Sequence, residues 1–233
     1  MRDSRRSILL VLALAGAVLA LVLAGVRAAP PAASSAGYAR YRADAATAKR
    51  DGVPVLPAAT RAATFRFAAG TAPADRDAVL SSIARARPEA RRLVALVDGL
   101  VDVRIGSTGV SGAIGLTRPG ARYAVTLDLG PVARAYGQRG IDRVVLHELG
   151  HVVDFALLPD DAMAALQAGI PTGYGCDQGV SGACANGHER FAESFAKWAT
   201  GDIGVDLGTG YKVPPPGPTL DVWGVPLARL GAP

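Results

Sequence analysis

The order of hydrophobic patterns along this 233-residue chain predicts an α+β fold with a small mixed sheet. Apolar residues recur at helical spacing over 73–97, the next segments alternate as strands do, and two further helical patterns follow. A long helix, two or three strands and then more helices is typical of α+β domains. The length suffices for one ordinary domain with a substantial core.

The first 29 residues have the pattern of a signal peptide or an N-terminal membrane anchor. Arg2, Arg5 and Arg6 precede an uninterrupted apolar run over 8–26. The run is long for a cleaved signal and just long enough to span a bilayer, so both interpretations stay open. In either case we expect the domain outside the cytoplasm, secreted or held at the cell membrane by an uncleaved segment.

Most of the positive charge belongs to this leader. The chain has a formal net charge of +5, and residues 1–27 contribute +3 of it, from four arginines against one aspartate. The remainder therefore carries only +2. Such a small excess is not the basic surface that nucleic-acid binding requires, so we expect no nucleic-acid partner.

Residues 30–60 are rich in alanine and proline, lack a sustained apolar period and predict a tether, which leaves 61–233 for the folded domain. A short strand over 64–67 opens the domain. The helical pattern over 73–97 follows, and Pro88 is expected to kink or divide that helix.

Three segments after this helix predict the sheet. Residues 101–105 alternate cleanly between apolar and polar side chains. Residues 111–117 are a weaker strand because of their glycines, and 123–129 alternate best, with Gly130 and Pro131 expected to end that strand.

A metal-binding pattern lies within the mostly apolar run over 140–158, which predicts a buried helix. The five residues are His147-Glu148-Leu149-Gly150-His151, and they include two of the three histidines in the chain. Residues four apart lie one helical turn above each other, so both imidazoles can hold one Zn²⁺ while Glu148 acts as a general base for water on the metal. Gly150 leaves room for another backbone to approach this face.

A glycine-rich loop follows a short helix predicted over 160–166. Residues 169–187 form this loop and contain the only two cysteines of the chain, Cys176 and Cys184. Two cysteines in one loop of an exported chain predict a disulfide bond, with two free thiols as the alternative.

The last strong helical pattern covers 189–200 and presents two stripes. Phe191, Phe195 and Trp198 form an apolar stripe that is expected in the core. Glu189 shares the other stripe with small residues and is our candidate for the third metal ligand. Two alternatives remain: His188 could bind the metal, or Glu189 could be an exposed capping residue paired with Asn186.

The chain resembles the gluzincin metallopeptidases in this arrangement: one helix carries His-Glu-x-x-His and the next helix carries a glutamate. The segments 147–154 and 189–195 are similar to the catalytic domain of anthrax lethal-factor-type proteases. The resemblance implies a zincin-like fold with His147, His151 and Glu189 as zinc ligands and Glu148 as the base. The resemblance also implies the following residues around the ligands: Asp154 and Glu193 as supports, and an oxyanion-stabilising tyrosine, for which Tyr174 is the nearest candidate.

The position of Asp154 independently suggests a supporting role. It lies three residues after His151, where a carboxylate can accept the free ring N–H of a metal-binding histidine.

The resemblance and the motif together predict a zinc-dependent endopeptidase acting on peptide or protein substrates. The substrate would lie extended along the edge of the sheet, for which 111–117 is the candidate strand. The alternative is a non-catalytic zinc-bound binding or scaffold domain. Glu148 argues against this alternative, because a structural zinc site needs no base.

Overall fold

The computed structural model of the protein describes residues 65–172, 185–204, 207 and 213–230. The predicted leader and tether lie outside the described residues, as do Tyr174, Cys176 and Cys184. Within the part of the chain that is described, no helix combines the length and apolar character needed to cross a membrane.

The described strands form one small mixed sheet in the order β1-β2-β4-β3. They are β1 (Arg66–Phe67), β2 (Val101–Ile105), β3 (Gly115–Arg118) and β4 (Tyr123–Leu127). β2 pairs in parallel with both β1 and β4, whereas β3 is antiparallel to β4 and forms an edge of the sheet. The predicted α+β class with a mixed sheet is therefore confirmed.

Helices make up most of the remaining described chain. They are α1 (Pro73–Arg85), α2 (Pro88–Val97), α3 (Leu129–Leu157), α4 (Asp160–Ala168), α5 (Gly187–Thr200), α6 (Leu220–Trp223) and α7 (Val225–Leu230), and a single 3₁₀ turn (Asp98–Leu100) links α2 to β2. Pro88 divides the first helical pattern as predicted. Arg87 has a ψ of 152° and leaves the helix, because a following proline disfavours the helical conformation.

Three strand predictions need correction at their boundaries. The strand predicted over 64–67 is β1, which among the described residues covers only Arg66–Phe67. The strand predicted over 111–117 is β3, which begins only at Gly115 because the chain before it still turns, with positive φ at Gly109 and Gly112. The strand predicted over 123–129 ends at Leu127, and α3 begins at Leu129. Pro131 lies in the first turn of α3, where its missing N–H costs no helical hydrogen bond.

The long helix α3 lies between the sheet and α5 and contacts both. A break at Gly137, with φ 59° and ψ −151°, separates its first two turns from the segment that carries the histidines. All residues over 143–155 are buried, as the apolar run predicts. α3 contacts both β3 and β4 and also packs against α5, so it holds the metal-binding motif between the sheet and α5.

Candidate metal centre

The two histidines of the motif lie one turn apart on α3 and point to the same place. Their Nε2 atoms are 3.2 Å apart, and both side chains are buried. This proximity follows from the four-residue spacing, which stacks side chains on one face of a helix.

Glu189 comes to the histidines from the first turn of α5. Its Oε2 lies 3.2 Å from Nε2 of His147, and its Oε1 lies 3.5 Å from Nε2 of His151. Asn186 caps α5, because its side chain accepts from the backbone N–H groups of His188 and Glu189. Glu189 is nevertheless only 5% exposed, so it is not the exposed capping glutamate of the alternative interpretation.

Small side chains let the two helices approach closely enough for this contact. A Cβ atom added to Gly150 would lie 3.2 Å from Cα of Ala192 and 3.1 Å from Cδ1 of Phe195. The close approach predicted at Gly150 is therefore confirmed. The apolar stripe is also confirmed, because Phe191, Phe195 and Trp198 are at most 1% exposed.

The spacing of the three donor groups suits a small metal ion. His147, His151 and Glu189 form a buried group that could hold a metal, with one ligand atom from each lying within 4.8 Å of the others. A tetrahedral ion with bonds of about 2.0–2.1 Å keeps its donors ~3.3–3.4 Å apart. The two Nε2 atoms are 3.2 Å apart and Oε2 of Glu189 is 3.2 Å from Nε2 of His147, both close to that value, while the 3.5 Å contact to Nε2 of His151 is made by the other oxygen, Oε1.

The charges of the group support the same conclusion. Burial lowers the pKa of His147, but hydrogen bonds to Glu189 and Glu193 outweigh it and raise the pKa from 6.5 to about 10. Burial raises the pKa of Glu189, but His151 and His147 outweigh it and hold the pKa well below its usual range. A negative carboxylate thus attracts a cation at this position, and a proton on His147 occupies the place that a metal would take.

Glu193, for which the resemblance implies a supporting role, contacts the other ring nitrogen of His147. Its Oε2 is 3.2 Å from Nδ1 of His147, so the carboxylate can fix the tautomer of that ring. Arg143 donates to both oxygens of Glu193, over 3.2 and 3.3 Å. Burial raises the pKa of Glu193, but Arg143 and His147 outweigh it and lower the pKa to about 2.

The sequence interpretation missed Arg143. It lies four residues before His147, one helical turn away in a mostly apolar run, and it is only 5% exposed. A lone arginine at this spacing is the signal that could have identified it, since a buried guanidinium requires an acid.

Asp154 has a different partner from the one expected. The sequence predicts that it accepts from a metal-binding histidine, but its Oδ2 lies 2.5 Å from Nδ1 of His188. His188 lies at the start of α5, and its side chain is 30% exposed.

Tyr123 is affected by the same aspartate. Its pKa is raised to about 12, mainly by burial and to a smaller extent by the negative charge of Asp154.

Glu148 lies on the sheet side of α3, facing β3. Its Oε2 accepts a hydrogen bond of 2.7 Å from the hydroxyl of Thr117, a residue that the sequence interpretation did not single out. Burial raises the pKa of Glu148, against the opposing effects of His147 and His151. A higher pKa makes the carboxylate a better proton acceptor near neutral pH.

Three predicted site residues lie outside the described part of the chain. The oxyanion candidate Tyr174 and the predicted disulfide between Cys176 and Cys184 fall within 173–184. These remain predictions from the sequence.

Comparisons of the chain with protein-family models, with curated proteins and with solved structures find no match.

Proposed function

We propose that this protein is a zinc-dependent endopeptidase with a zincin-like domain of the gluzincin type. The observation that carries the proposal is the convergence of His147, His151 and Glu189 within 3.5 Å of one another, next in sequence to a buried glutamate. We also propose that it acts outside the cytoplasm, because residues 1–29 have the pattern of an export signal or anchor.

The donor set favours zinc over Mg²⁺ and Ca²⁺. Two imidazoles and one carboxylate are a common ligand set of catalytic zinc, whereas Mg²⁺ and Ca²⁺ prefer oxygen donors alone. When bound, zinc would polarise a carbonyl group and acidify water. Glu193 supports the arrangement by orienting the ring of His147, and Arg143 keeps Glu193 ionised.

Glu148 would carry the proton transfers of hydrolysis. Its carboxylate would take a proton from the attacking water and later give it to the nitrogen of the leaving amine. Its burial supports this role, since the raised pKa strengthens the carboxylate as a proton acceptor.

The edge strand β3 is the proposed binding place for an extended substrate. β3 pairs only with β4 in the described sheet, and Gly115 and Thr117 contact Glu148. A peptide that adds a strand to this edge would form main-chain hydrogen bonds and lie along the proposed base.

The alternative is a domain that binds zinc for stability and acts as a binding or scaffold module. Structural zinc sites usually have four protein ligands. In the described residues the group has three, and an ionisable glutamate stands beside it. The glutamate favours a site that leaves one position to water or substrate, because a structural zinc site needs no base.

Zinc analysis combined with peptide hydrolysis tests the proposal. We expect purified full-length protein to contain about one zinc per chain and to cleave members of a peptide library, as catalytic sites of this type do. A chelator should stop cleavage and added zinc should restore it. Bound zinc without cleavage of any peptide would favour the binding module, and absence of zinc binding would contradict both functions.

Zinc affinity should increase with pH. His147 has a pKa of about 10 in the metal-free site, so it is protonated at pH 6 to 8 and must lose that proton when zinc binds. Each released proton raises the apparent affinity by about tenfold per pH unit below this pKa. Competition with a chelator of known affinity at several pH values measures the slope, and an affinity that is constant between pH 6 and 8 would contradict the raised pKa of His147.

A further inference from the structure

The edge strand β3 contacts Glu148 at two places, and the first is a hydrogen bond. Oγ1 of Thr117 lies 2.7 Å from Oε2 of Glu148, and also 3.1 Å from the backbone oxygen of the same residue. A hydroxyl has one proton to donate, and the shorter contact is to a carboxylate, which is the stronger acceptor. Both side chains are buried, so water competes little for this bond.

The second contact depends on a missing side chain. A Cβ atom added to Gly115 would lie 2.3 Å from Oε1 of Glu148 and 2.8 Å from its Cδ. Distances this short exclude any other residue unless the carboxylate moves. β3 therefore contacts both oxygens of Glu148. Thr117 donates a hydrogen bond to Oε2, and Oε1 occupies the space left by the missing side chain of Gly115.

An alternative explanation is that the buried hydroxyl of Thr117 only needs an acceptor and donates to a backbone oxygen of α3. In that case the backbone oxygen of α3 would be the closer partner, whereas the side-chain oxygen of Glu148 is closer by 0.4 Å. A free glutamate side chain has several torsions that must be restrained before it can act as a base. A displacement of about 1 Å at a reacting group can cost up to about 100-fold in rate.

We propose that Thr117 is a positioning residue for Glu148, with Gly115 providing the space that the carboxylate needs. This inference rests on the proposed peptidase function. The Thr117 hydroxyl holds Oε2, and Oε1 then takes the proton as the O–H bond of the attacking water breaks and the water oxygen bonds to the peptide carbonyl carbon. The same proton goes to the amine nitrogen as the peptide C–N bond breaks. Because β3 is also the proposed substrate edge, one strand orients both the peptide and the base.

Two variants of Thr117 in zinc-loaded full-length protein test this role. Thr117→Val keeps the shape of the side chain but removes the hydroxyl, and Thr117→Ser keeps the hydroxyl. We expect valine to lower kcat by about 10- to 100-fold with KM and zinc content unchanged, as loss of a supporting hydrogen bond does at metal sites. Serine should restore kcat to within about threefold of wild type.

Carbon-13 NMR of labelled glutamate carboxyl groups adds a measurement that needs no turnover. The chain has only four glutamates, Glu89, Glu148, Glu189 and Glu193, so the spectrum is simple. Glu148→Gln identifies the signal of Glu148 by its disappearance. This signal should move in Thr117→Val and stay in Thr117→Ser, while the signal of Glu89 stays in both.

The outcomes separate this inference from the peptidase proposal. Cleavage by Thr117→Val at the wild-type rate, or an unmoved Glu148 signal, would overturn the role of Thr117 and leave the peptidase proposal intact. Wild-type protein that binds zinc but cleaves no peptide would overturn the peptidase proposal, while the NMR signal would still show whether Thr117 holds Glu148.

Gly115→Ala provides an independent test from the second contact. The added methyl group should displace the carboxylate and lower kcat by at least about tenfold with zinc retained. Gly217→Ala is the matched control, since the nearest atom to its added Cβ lies 3.8 Å away. Equal kcat in the two glycine variants would overturn the role given to Gly115.

Discussion

Replacing Glu148 by glutamine is expected to lower kcat by about 10²- to 10⁴-fold, the usual contribution of a general base. Glutamine has the same shape and can still accept the hydrogen bond from Thr117, but its amide does not take up a proton. Zinc should remain bound because His147, His151 and Glu189 are unchanged. Steady-state kinetics and metal analysis of the same preparation measure both effects.

Glu89→Gln is the control for this substitution. Glu89 lies on α2, outside the metal centre, with its carboxylate 3.9 Å from the guanidinium of Arg92. It should retain wild-type kcat and zinc content. Peptide hydrolysis by Glu148→Gln at the wild-type rate would show that the assigned mechanism is wrong.

Replacing Glu189 by alanine is expected to lower zinc affinity by more than about 100-fold, which is the upper range for losing only a supporting partner of a ligand. The substitution removes the one carboxylate ligand of the group, so that only His147 and His151 remain to bind the metal. His188→Ala should keep zinc, because the ring of His188 pairs with Asp154 rather than with the group. Equilibrium competition with a chelator compares the two variants.

Asn186→Ala separates loss of a ligand from loss of helix stability. Asn186 caps α5, so its loss should reduce the free energy of unfolding by about 1 kcal/mol without changing zinc stoichiometry. If His188→Ala alone loses zinc, Glu189 is not the third ligand and the gluzincin-type arrangement is wrong.

The proximity of His147 and His151 was predictable from the sequence, because the two residues lie close together in it. The spacing of His147 and His151 places them together on any helix, and the apolar run around them requires that helix to be buried. Glu189 was predictable at longer range because it shares a helix face with small residues. The structure brings it to the histidines through the contact between Gly150 and Ala192.

Local patterns predicted boundaries less well where the same residues are compatible with both the end of a strand and the start of a helix. Gly130 and Pro131 indicated the end of a strand, but they occupy the start of α3, since a proline is tolerated in the first turn of a helix. The glycines before β3 shortened that strand because their backbone turns with positive φ.

Sequence alone was sufficient to establish the α+β order of elements, the buried motif helix and the candidate ligands, because periodicity and four-residue spacing are properties of a single helix or strand. The contacts of the residues beside those ligands depended on packing between elements. Thr117 reaches Glu148 from β3, and His188 reaches Asp154 from α5, over separations of 31 and 34 residues. No local pattern encodes such contacts, because they exist only when α3 is packed against the sheet and α5 together.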